Sequence, residues 1–308
     1  AYSLDVMRQR AGGVKVCGVV KANAYGHGMI EVARKLEEAG VDYLGVADVA
    51  EALELRRAGI DAPILAWLHD PHEMFVEAVN EGIELGLANE DHLARVAAAA
   101  EITGRLARVH LKVDTGLNRN GASAAEWEGV LRQARALVAE GFIQVVGIFS
   151  HLSSTGEAED LAQIARFDAA VEIARESGLQ FELRHLTASD GSLNYPQAQY
   201  EMVRVGVALY GLSPFADHHS KEYGLRPAMT ATTHVTQVKR VPAGEGVSYG
   251  YLHRTASETT LALIPVGYAE GLPRNASGNA SVSINGKTYA ISSRIAAVSR
   301  SSCLTRFS

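Results

Sequence analysis

Residues 14–28 read VKVCGVVKANAYGHG, an apolar run that ends on a lysine and is followed by a glycine-containing turn. The part Val16–Ala22 is rich in valine, which is typical of a strand that is covered on both faces. Ile30, Ala33 and Leu36 then follow at helical spacing. An apolar strand followed by an amphipathic helix predicts one βα unit.

The same unit repeats along the chain as far as Gly211. Apolar runs alternate with helical patterns, which predicts parallel strands joined by helices. The predicted strands are Val16–Ala22, Tyr43–Ala47, Pro63–Leu68, Ile83–Ala88, Ala107–Asp114, Val145–His151, Phe181–Thr187 and Met202–Tyr210. Eight parallel strands favour closure into a (β/α)8 barrel of the TIM type. An open doubly wound sheet gives a similar alternation and remains an alternative on this evidence.

The pattern changes after Gly211. Helical patterns vanish, and short β-type runs are separated by glycine-containing turns, as at Asn285-Gly286. These runs are Thr232–Val241, Thr260–Pro265 and Ala280–Ile284. We therefore predict a barrel domain over residues 1–214 and a smaller all-β domain over residues 215–308.

Composition narrows the class of protein. The chain has 308 residues, 47% of them hydrophobic, which is enough for a large packed core. Its net charge of −6 comes from mixed acids and bases, so the basic surface of a nucleic-acid-binding protein is not expected. Cys17 and Cys303 form neither a disulfide framework nor a metal-ligand spacing, and no apolar run is long enough to span a bilayer. We expect a cytoplasmic protein that binds no metal, membrane or nucleic acid.

Lys21 is the first candidate for chemistry. A (β/α)8 barrel carries its active site at the carboxyl ends of its strands, where this residue is predicted to lie. Burial against Val19 and Val20 would lower the pKa of its amine and make it a nucleophile toward an aldehyde. Position alone favours the alternative, a rim lysine whose ammonium reaches water.

The stretch VVKANAYGHG at residues 19–28 resembles the cofactor-lysine motif of the alanine racemase family. The resemblance implies that Lys21 forms a Schiff base with pyridoxal 5'-phosphate and that Tyr25 contacts the phosphate. It extends over most of the chain. The segment HLKVDTGLNRNG, residues 110–121, is similar to the family segment with a substrate-binding arginine, which implies that role for Arg119. Lys112 matches a family lysine that is often carbamylated and supports this arginine.

Further cofactor contacts follow from the same resemblance. His151, in FSHL, matches the family's ring-stacking histidine, and Ser189, in HLTAS, matches a phosphate-binding serine. MVRVGVALYG resembles the family segment in which an arginine donates to the pyridine nitrogen, which implies this role for Arg204. Gly206 would bring its backbone amide close to the phosphate. From the residues alone, a structural histidine and a salt-bridged arginine are alternatives.

The predicted β domain carries two more matches. GVSYG and IPVGYAEG resemble family motifs, and they imply that Tyr249 is a second base and that Tyr268 lines the substrate channel. In the family this second base comes from the partner subunit, so the resemblance implies a homodimer. Without it, a tyrosine beside a glycine turn would be taken for a packing residue.

The resemblance implies interconversion of L- and D-alanine by two-base proton transfer on a pyridoxal phosphate Schiff base, which supplies D-alanine for peptidoglycan. A broader-specificity or serine racemase remains an alternative. So do a non-catalytic pyridoxal-phosphate-binding protein and an inactive racemase fragment. A related amino-acid decarboxylase is disfavoured because its glycine-run phosphate loop and late cysteine motif are absent from the sequence.

The chain also departs from the family pattern. Ala188 and Val205 replace an asparagine and a proline, and Ala297-Val298 stand where the family has a Met-Asp pair. The tail at residues 300–308 lacks strand alternation, and the family's first β segment has no match at the start of the chain. We therefore expect an incomplete β domain and an activity below that of a chain with a family-like tail.

Overall fold

The computed structural model describes residues 1–296 and a strand at residues 303–307. The substitution at Ala297-Val298 lies outside the described residues. The chain divides into two compact units, Ala1–Met229 and Thr230–Ser308. Among the described helices, none combines the length and apolar character that crossing a bilayer requires.

The first unit contains an eight-stranded parallel sheet. Its strands are β1 Lys15–Val19, β2 Tyr43–Val46, β3 Ile64–Ala66, β4 Glu84–Leu87, β5 Ala107–Lys112, β6 Ile143–Phe149, β7 Leu183–His185 and β8 Met202–Val205. Neighbouring strands pair in the order β7-β6-β5-β4-β3-β2-β1-β8. Beyond β7, the Thr187 carbonyl accepts a hydrogen bond from the Arg204 backbone amide at 3.0 Å. The two ends of the sheet therefore meet, which confirms a barrel and excludes the open doubly wound sheet.

Helices follow the strands, as the sequence pattern predicts. They are α1 Tyr2–Arg10, the short left-handed turn α2 Lys21–Tyr25, α3 Met29–Glu38, α4 Val49–Arg57, α5 Val76–Asn80, α6 Glu90–Thr103, α7 Ala124–Ala139, α8 Glu157–Glu176 and α9 Ser189–Asn194. The inner faces of these helices and the strands form one core, in which Trp127, Phe167 and Leu44 are fully buried. Helix α1, which precedes the first strand, was not predicted.

All eight predicted strands end beyond the observed carboxyl ends, and the first and the eighth do so by the most residues. Strand β1 ends at Val19, because Ala22–Tyr25 adopt left-handed backbone angles with φ between 52° and 55°. Strand β8 ends at Val205, and Val207–Tyr210 form a 3-10 turn instead. Apolar composition continues past the ladder in both places, so composition alone could not mark these ends.

The second unit consists of small antiparallel sheets and 3-10 turns. Its strands are β9 Gln237–Val241, β10 Gly246–Val247, β11 His253–Arg254, β12 Thr259–Ile264, β13 Ser281–Ile284, β14 Lys287–Ala290 and β15 Cys303–Phe307. Asn285 and Gly286, with φ of 49° and 78°, form the predicted turn between β13 and β14.

The tail contradicts one expectation. Cys303–Phe307 forms a strand that pairs with the central strand β12 of the order β15-β12-β9. Backbone groups make this ladder, so a segment can complete an open edge without alternating apolar and polar residues. The lack of alternation was therefore a poor guide here.

Candidate active site

A cavity of about 540 Å³ opens at the carboxyl ends of the barrel strands, a size usual for small-molecule sites. Eight of the ten residues singled out from the sequence line it: Lys21, Tyr25, Lys112, Arg119, His151, Ser189, Arg204 and Gly206. The other two, Tyr249 and Tyr268, belong to the second unit.

Lys21 opens a strained turn at the edge of the cavity. The residues after it, Ala22–Tyr25, are four consecutive non-glycine residues with left-handed angles, each of which costs roughly 1–2 kcal/mol. Glu51 holds the turn, because its carboxylate accepts from the Ala22 amide at 2.6 Å and from the Ala47 amide at 2.8 Å. Strain of this kind is tolerated mainly at functional sites.

The amine of Lys21 is half-buried. Burial lowers its pKa, and the positive charge of Arg119 adds to this effect, while Glu51 opposes it. A lower pKa increases the fraction of neutral amine, which is the nucleophilic form. The site therefore activates this lysine without a neighbouring base.

The cavity is strongly cationic. Lys21, Lys112, Arg119 and Arg204 all line it, and within residues 1–296 no carboxylate forms an ion pair with any of them. Burial, followed by the charge of Arg204, lowers the pKa of Lys112 to about 8. Asp190 also lines the cavity, so four cations face one carboxylate there, and this excess of positive charge favours an anionic ligand with more than one charged group.

Arg204 is buried beneath the cavity and is held by acceptors alone. One terminal nitrogen donates to the His185 carbonyl and to His185 Nδ1, both at 2.8 Å. The other donates to the carbonyls of Ser150 at 2.6 Å and Leu186 at 3.0 Å, and to His151 Nδ1 at 3.1 Å. Burial, together with the positive charge of Arg204, lowers the pKa of His151 to about 3, so this histidine is neutral at physiological pH.

A polar cradle lies on another wall. The Ser189 hydroxyl oxygen accepts from the backbone amides of Gly206 at 3.1 Å and Ala208 at 3.3 Å. These two bonds use its lone pairs, which leaves its O–H to donate to a ligand. A Cβ at Gly206 would lie 2.4 Å from the Tyr25 hydroxyl, so only glycine leaves this space open.

The two tyrosines of the second unit are exposed. Tyr249, which begins a 3-10 turn after Ser248, is 72% exposed, and Tyr268 is 47% exposed. Exposed aromatic side chains are common where a protein surface contacts a partner.

Two neighbours of the site escaped the sequence analysis. Phe149 places its ring 5.5 Å from the Lys112 ammonium and 5.4 Å from the Arg204 guanidinium, which are cation–π distances. Glu51 lies three residues after the N-cap Asp48, but its carboxylate accepts from the amides of Ala22 and Ala47 instead of the Asp48 amide that a capping box would use. Nothing in the sequence places Phe149 between two cations, because they come from different strands.

The alanine racemase N-terminal domain model matches residues 1–214, which is more than half of the chain. The chain belongs to the alanine racemase family. The C-terminal domain model of that family matches residues 228–297. The chain is 45% identical over 297 residues to an alanine racemase from Frankia casuarinae and covers 77% of that protein, and 95% of this chain is aligned. It is 43% identical to an alanine racemase from Thermobifida fusca over 95% of this chain and 79% of the relative.

Solved structures of the alanine racemase family agree with the fold. The alanine racemase from Streptomyces lavendulae is 41% identical and superposes with a TM-score of 0.93 over 99% of this chain and 80% of that one. That from Streptomyces coelicolor has the same TM-score at 38% identity, over 99% and 82% of the two chains. Among the described residues no group of acidic, histidine and cysteine side chains has the geometry of a metal site.

Proposed function

We propose that this chain interconverts L-alanine and D-alanine with pyridoxal 5'-phosphate as its cofactor. The observation that carries the proposal is one cavity in which an activated lysine, Lys21, faces an exposed arginine, Arg119, and a buried one, Arg204. A cofactor phosphate and a substrate carboxylate together supply negative charge that balances the excess of cations in this cavity.

The residues present fit this cofactor. Its aldehyde would attach to Lys21, and its phosphate suits the cradle of Tyr25, Ser189 and Gly206, where a Cβ would block the space. Arg204 would donate to the ring nitrogen, since its Nε makes no hydrogen bond within the described residues and the guanidinium lines the cavity. The bound cofactor supplies an electron-withdrawing ring that acidifies the substrate Cα–H.

Each side chain then has a defined task. Arg204 keeps its proton, because even its lowered pKa is about 10, and so leaves the ring nitrogen unprotonated. This limits the electron withdrawal and disfavours side reactions such as transamination. Arg119 holds the substrate carboxylate with its two parallel donors. Lys21, once released from the cofactor, moves the Cα proton on one face of the substrate.

Inversion needs a second proton donor on the opposite face, and we assign it to Tyr249. Its exposure in the second unit suits a residue that acts in the site of a partner subunit, so the proposal includes a homodimer. Tyr268 is assigned to the substrate channel. In this scheme residues 1–214 hold the cofactor, and residues 215–308 supply the second base.

We further propose a cytoplasmic enzyme that supplies D-alanine for peptidoglycan. The free, buried thiol of Cys17 is consistent with a reducing compartment.

The direct test is a chiral assay on the purified protein with added pyridoxal phosphate. We expect L-alanine and D-alanine to reach the same equal mixture from either side. In D2O, deuterium should enter Cα of both enantiomers. A parallel assay with L-serine separates alanine specificity from a broader racemase. Bound cofactor without Cα exchange on any amino acid would contradict the proposal.

Replacing Arg119 with lysine should weaken substrate binding. The substitution keeps the charge and removes the fork of parallel donors, and a hydrogen bond to a charged group contributes about 1.5–3 kcal/mol. We therefore expect KM for alanine to rise by roughly 10- to 100-fold. Arg105→Lys, on the barrel surface, is the matched control and should leave KM unchanged. An unaltered KM in Arg119→Lys would remove this arginine from the substrate site.

Lys112 is expected to form a carbamate with carbon dioxide. Only the neutral amine reacts, and with a pKa of about 8 half of Lys112 is neutral at that pH. An ordinary lysine would be only about 0.3% neutral. Carbon-13 NMR in labelled bicarbonate should show one carbamate signal that grows as pH rises through about 8 and is absent from Lys112→Arg. Persistence of the signal in that variant would place the carbamate elsewhere.

A further inference from the structure

A row of buried polar side chains crosses the barrel interior and ends at Arg204. Besides Arg204, it consists of Glu84 on β4, His110 on β5 and His185 on β7. The four side chains are at most 5% exposed. Buried polar groups of this kind are costly unless every donor finds an acceptor. The mechanism above uses only Arg204, so the other three need an explanation.

The hydrogen bonds of the row can be arranged in one direction. Arg204 can only donate, so His185 Nδ1, at 2.8 Å, must accept. The proton of neutral His185 is then on Nε2, which donates to His110 Nδ1 at 2.9 Å. His110 carries its proton on Nε2 and donates to the Glu84 carboxylate at 2.7 Å. Every donor is satisfied only if both histidines are neutral and Glu84 is ionised.

The surroundings favour these protonation states. Burial, together with the charge of Arg204, lowers the pKa of His185 well below its ordinary value. Burial alone would raise the pKa of Glu84, but hydrogen bonds from His110 and Arg108 outweigh it and hold this pKa below the ordinary value. Cys17, also inside the barrel, stays a neutral thiol because burial raises its pKa to about 12.

Two aromatic rings beside His110 carry no charge. The Tyr43 phenol presents its ring at 6.4 Å, with a pKa raised by burial to about 12, and the Phe149 ring is at the same distance. The charged groups nearest the two histidines are therefore Glu84, with its partner Arg108, at one end and Arg204 at the other.

We propose that Glu84 and His110 are positioning residues: they set His185 in its Nε2–H form and thereby hold Arg204 in place as a donor toward the cavity. The link to the cofactor ring rests on the proposed function, whereas the order of protons in the row does not. If the order reversed, His185 Nδ1–H would point at an Arg204 nitrogen that also donates, and the guanidinium would have to turn away.

The first test reads the histidine forms in the unaltered protein and uses variants only to assign the signals. In the full chain labelled with nitrogen-15 in histidine, ring-nitrogen NMR distinguishes the two neutral forms and the cation. Signals of His110 and His185 are assigned by their loss in His110→Asn and His185→Asn. We expect both to be neutral and protonated on Nε2. An Nδ1–H form or a cation at His185 would overturn the proposal.

The variant Glu84→Gln tests whether Glu84 sets the order of protons in the row. Arg108 Nε donates to one oxygen of Glu84 at 2.7 Å and cannot accept, so the carboxamide oxygen of the glutamine must face Arg108. Its NH2 group then points at His110 Nε2 and forces both histidines into the Nδ1–H form. Adding Arg108→Leu releases the carboxamide oxygen to accept from His110 and should restore the original forms. Unchanged signals in Glu84→Gln would show that Glu84 does not set the order.

A matched control is Glu201→Gln. Glu201 also accepts from an arginine, Arg184, at 2.9 Å, and within the described residues its carboxylate has no hydrogen bond to a histidine. This substitution should leave the ring signals of His110 and His185 unaltered. If the ring signals of both histidines also shift in this control, the effect of Glu84→Gln comes from a general loss of structure.

The holoenzyme supplies the second readout. A misplaced Arg204 should lower kcat in Glu84→Gln by up to about 100-fold, with KM for alanine nearly unchanged, and Arg108→Leu should recover it. A merely structural role predicts further loss in the double variant. If the wild-type protein has no racemase activity, the proposed function is wrong. The NMR measurement of the histidine forms then still tests the order of protons in the row. If both histidines take the Nδ1–H form in Glu84→Gln and kcat is unaltered, the histidine forms do not hold Arg204 in place.

Discussion

Lys21→Ala should abolish racemisation. The variant lacks both the amine that attaches the cofactor and the base on one face of the substrate. Loss of a positioned acid–base group alone costs about 10²–10⁴-fold, so we expect a loss at or beyond the upper end of this range. Borohydride reduction of the unaltered protein, followed by peptide mapping, should place the pyridoxyl label on Lys21, and the variant should carry no label.

The control for this experiment is Lys35→Ala. Lys35 lies on the surface of the barrel, 72% of its side chain is exposed, and its ammonium forms an ion pair with Glu38. Its loss should leave activity and labelling unchanged. A reduced label on any lysine other than Lys21 in the unaltered protein would refute the assignment of the cofactor lysine.

Tyr249→Phe should retain the bound cofactor and lose racemisation by roughly 10²–10⁴-fold, because the hydroxyl that exchanges the second proton is missing. Cα exchange with D2O should persist from the enantiomer whose proton Lys21 removes and should stop from L-alanine. Normal deuterium incorporation into L-alanine would exclude Tyr249 as its base.

The proposed dimer predicts that Tyr249 of one subunit acts in the site of the other. When Lys21→Ala and Tyr249→Phe chains are dissociated, mixed equally and reassociated, half of the dimers are mixed, and each mixed dimer contains one intact site. About a quarter of the unaltered activity should return. The matched control mixes each variant with itself and should recover nothing. No recovery in the mixed sample, despite demonstrated exchange of subunits, would contradict a base donated by the partner.

Much of the fold follows from local patterns in the sequence. All eight barrel strands lie within or across the predicted apolar runs, because strands covered on both faces need continuous apolar residues. Asn285-Gly286 predicted its turn, since both residues tolerate positive φ. Ser123 and Glu126 have capping-box spacing, and the structure has that box: Glu126 accepts from the Ser123 amide at 2.9 Å, and α7 begins directly after Ser123.

The candidate site was found by motif rather than by composition. Position alone favoured an ordinary rim lysine for Lys21, and only the surrounding residues made it a candidate for cofactor attachment. Eight of the chosen residues line one cavity because barrel topology brings the carboxyl ends of all strands to the same edge.

The sequence by itself determined the repeated βα units, the position of Lys21 and the change to β structure after Gly211, because each is a property of residues close together in the chain. Only the tertiary structure decided the closure of the sheet into a barrel and the left-handed turn, which depends on hydrogen bonds that the distant Glu51 accepts. It also decided the pKa of Lys112 and the row from Glu84 to Arg204. These properties depend on burial and on atoms from separate strands, so the spacing of residues along the chain does not reveal them.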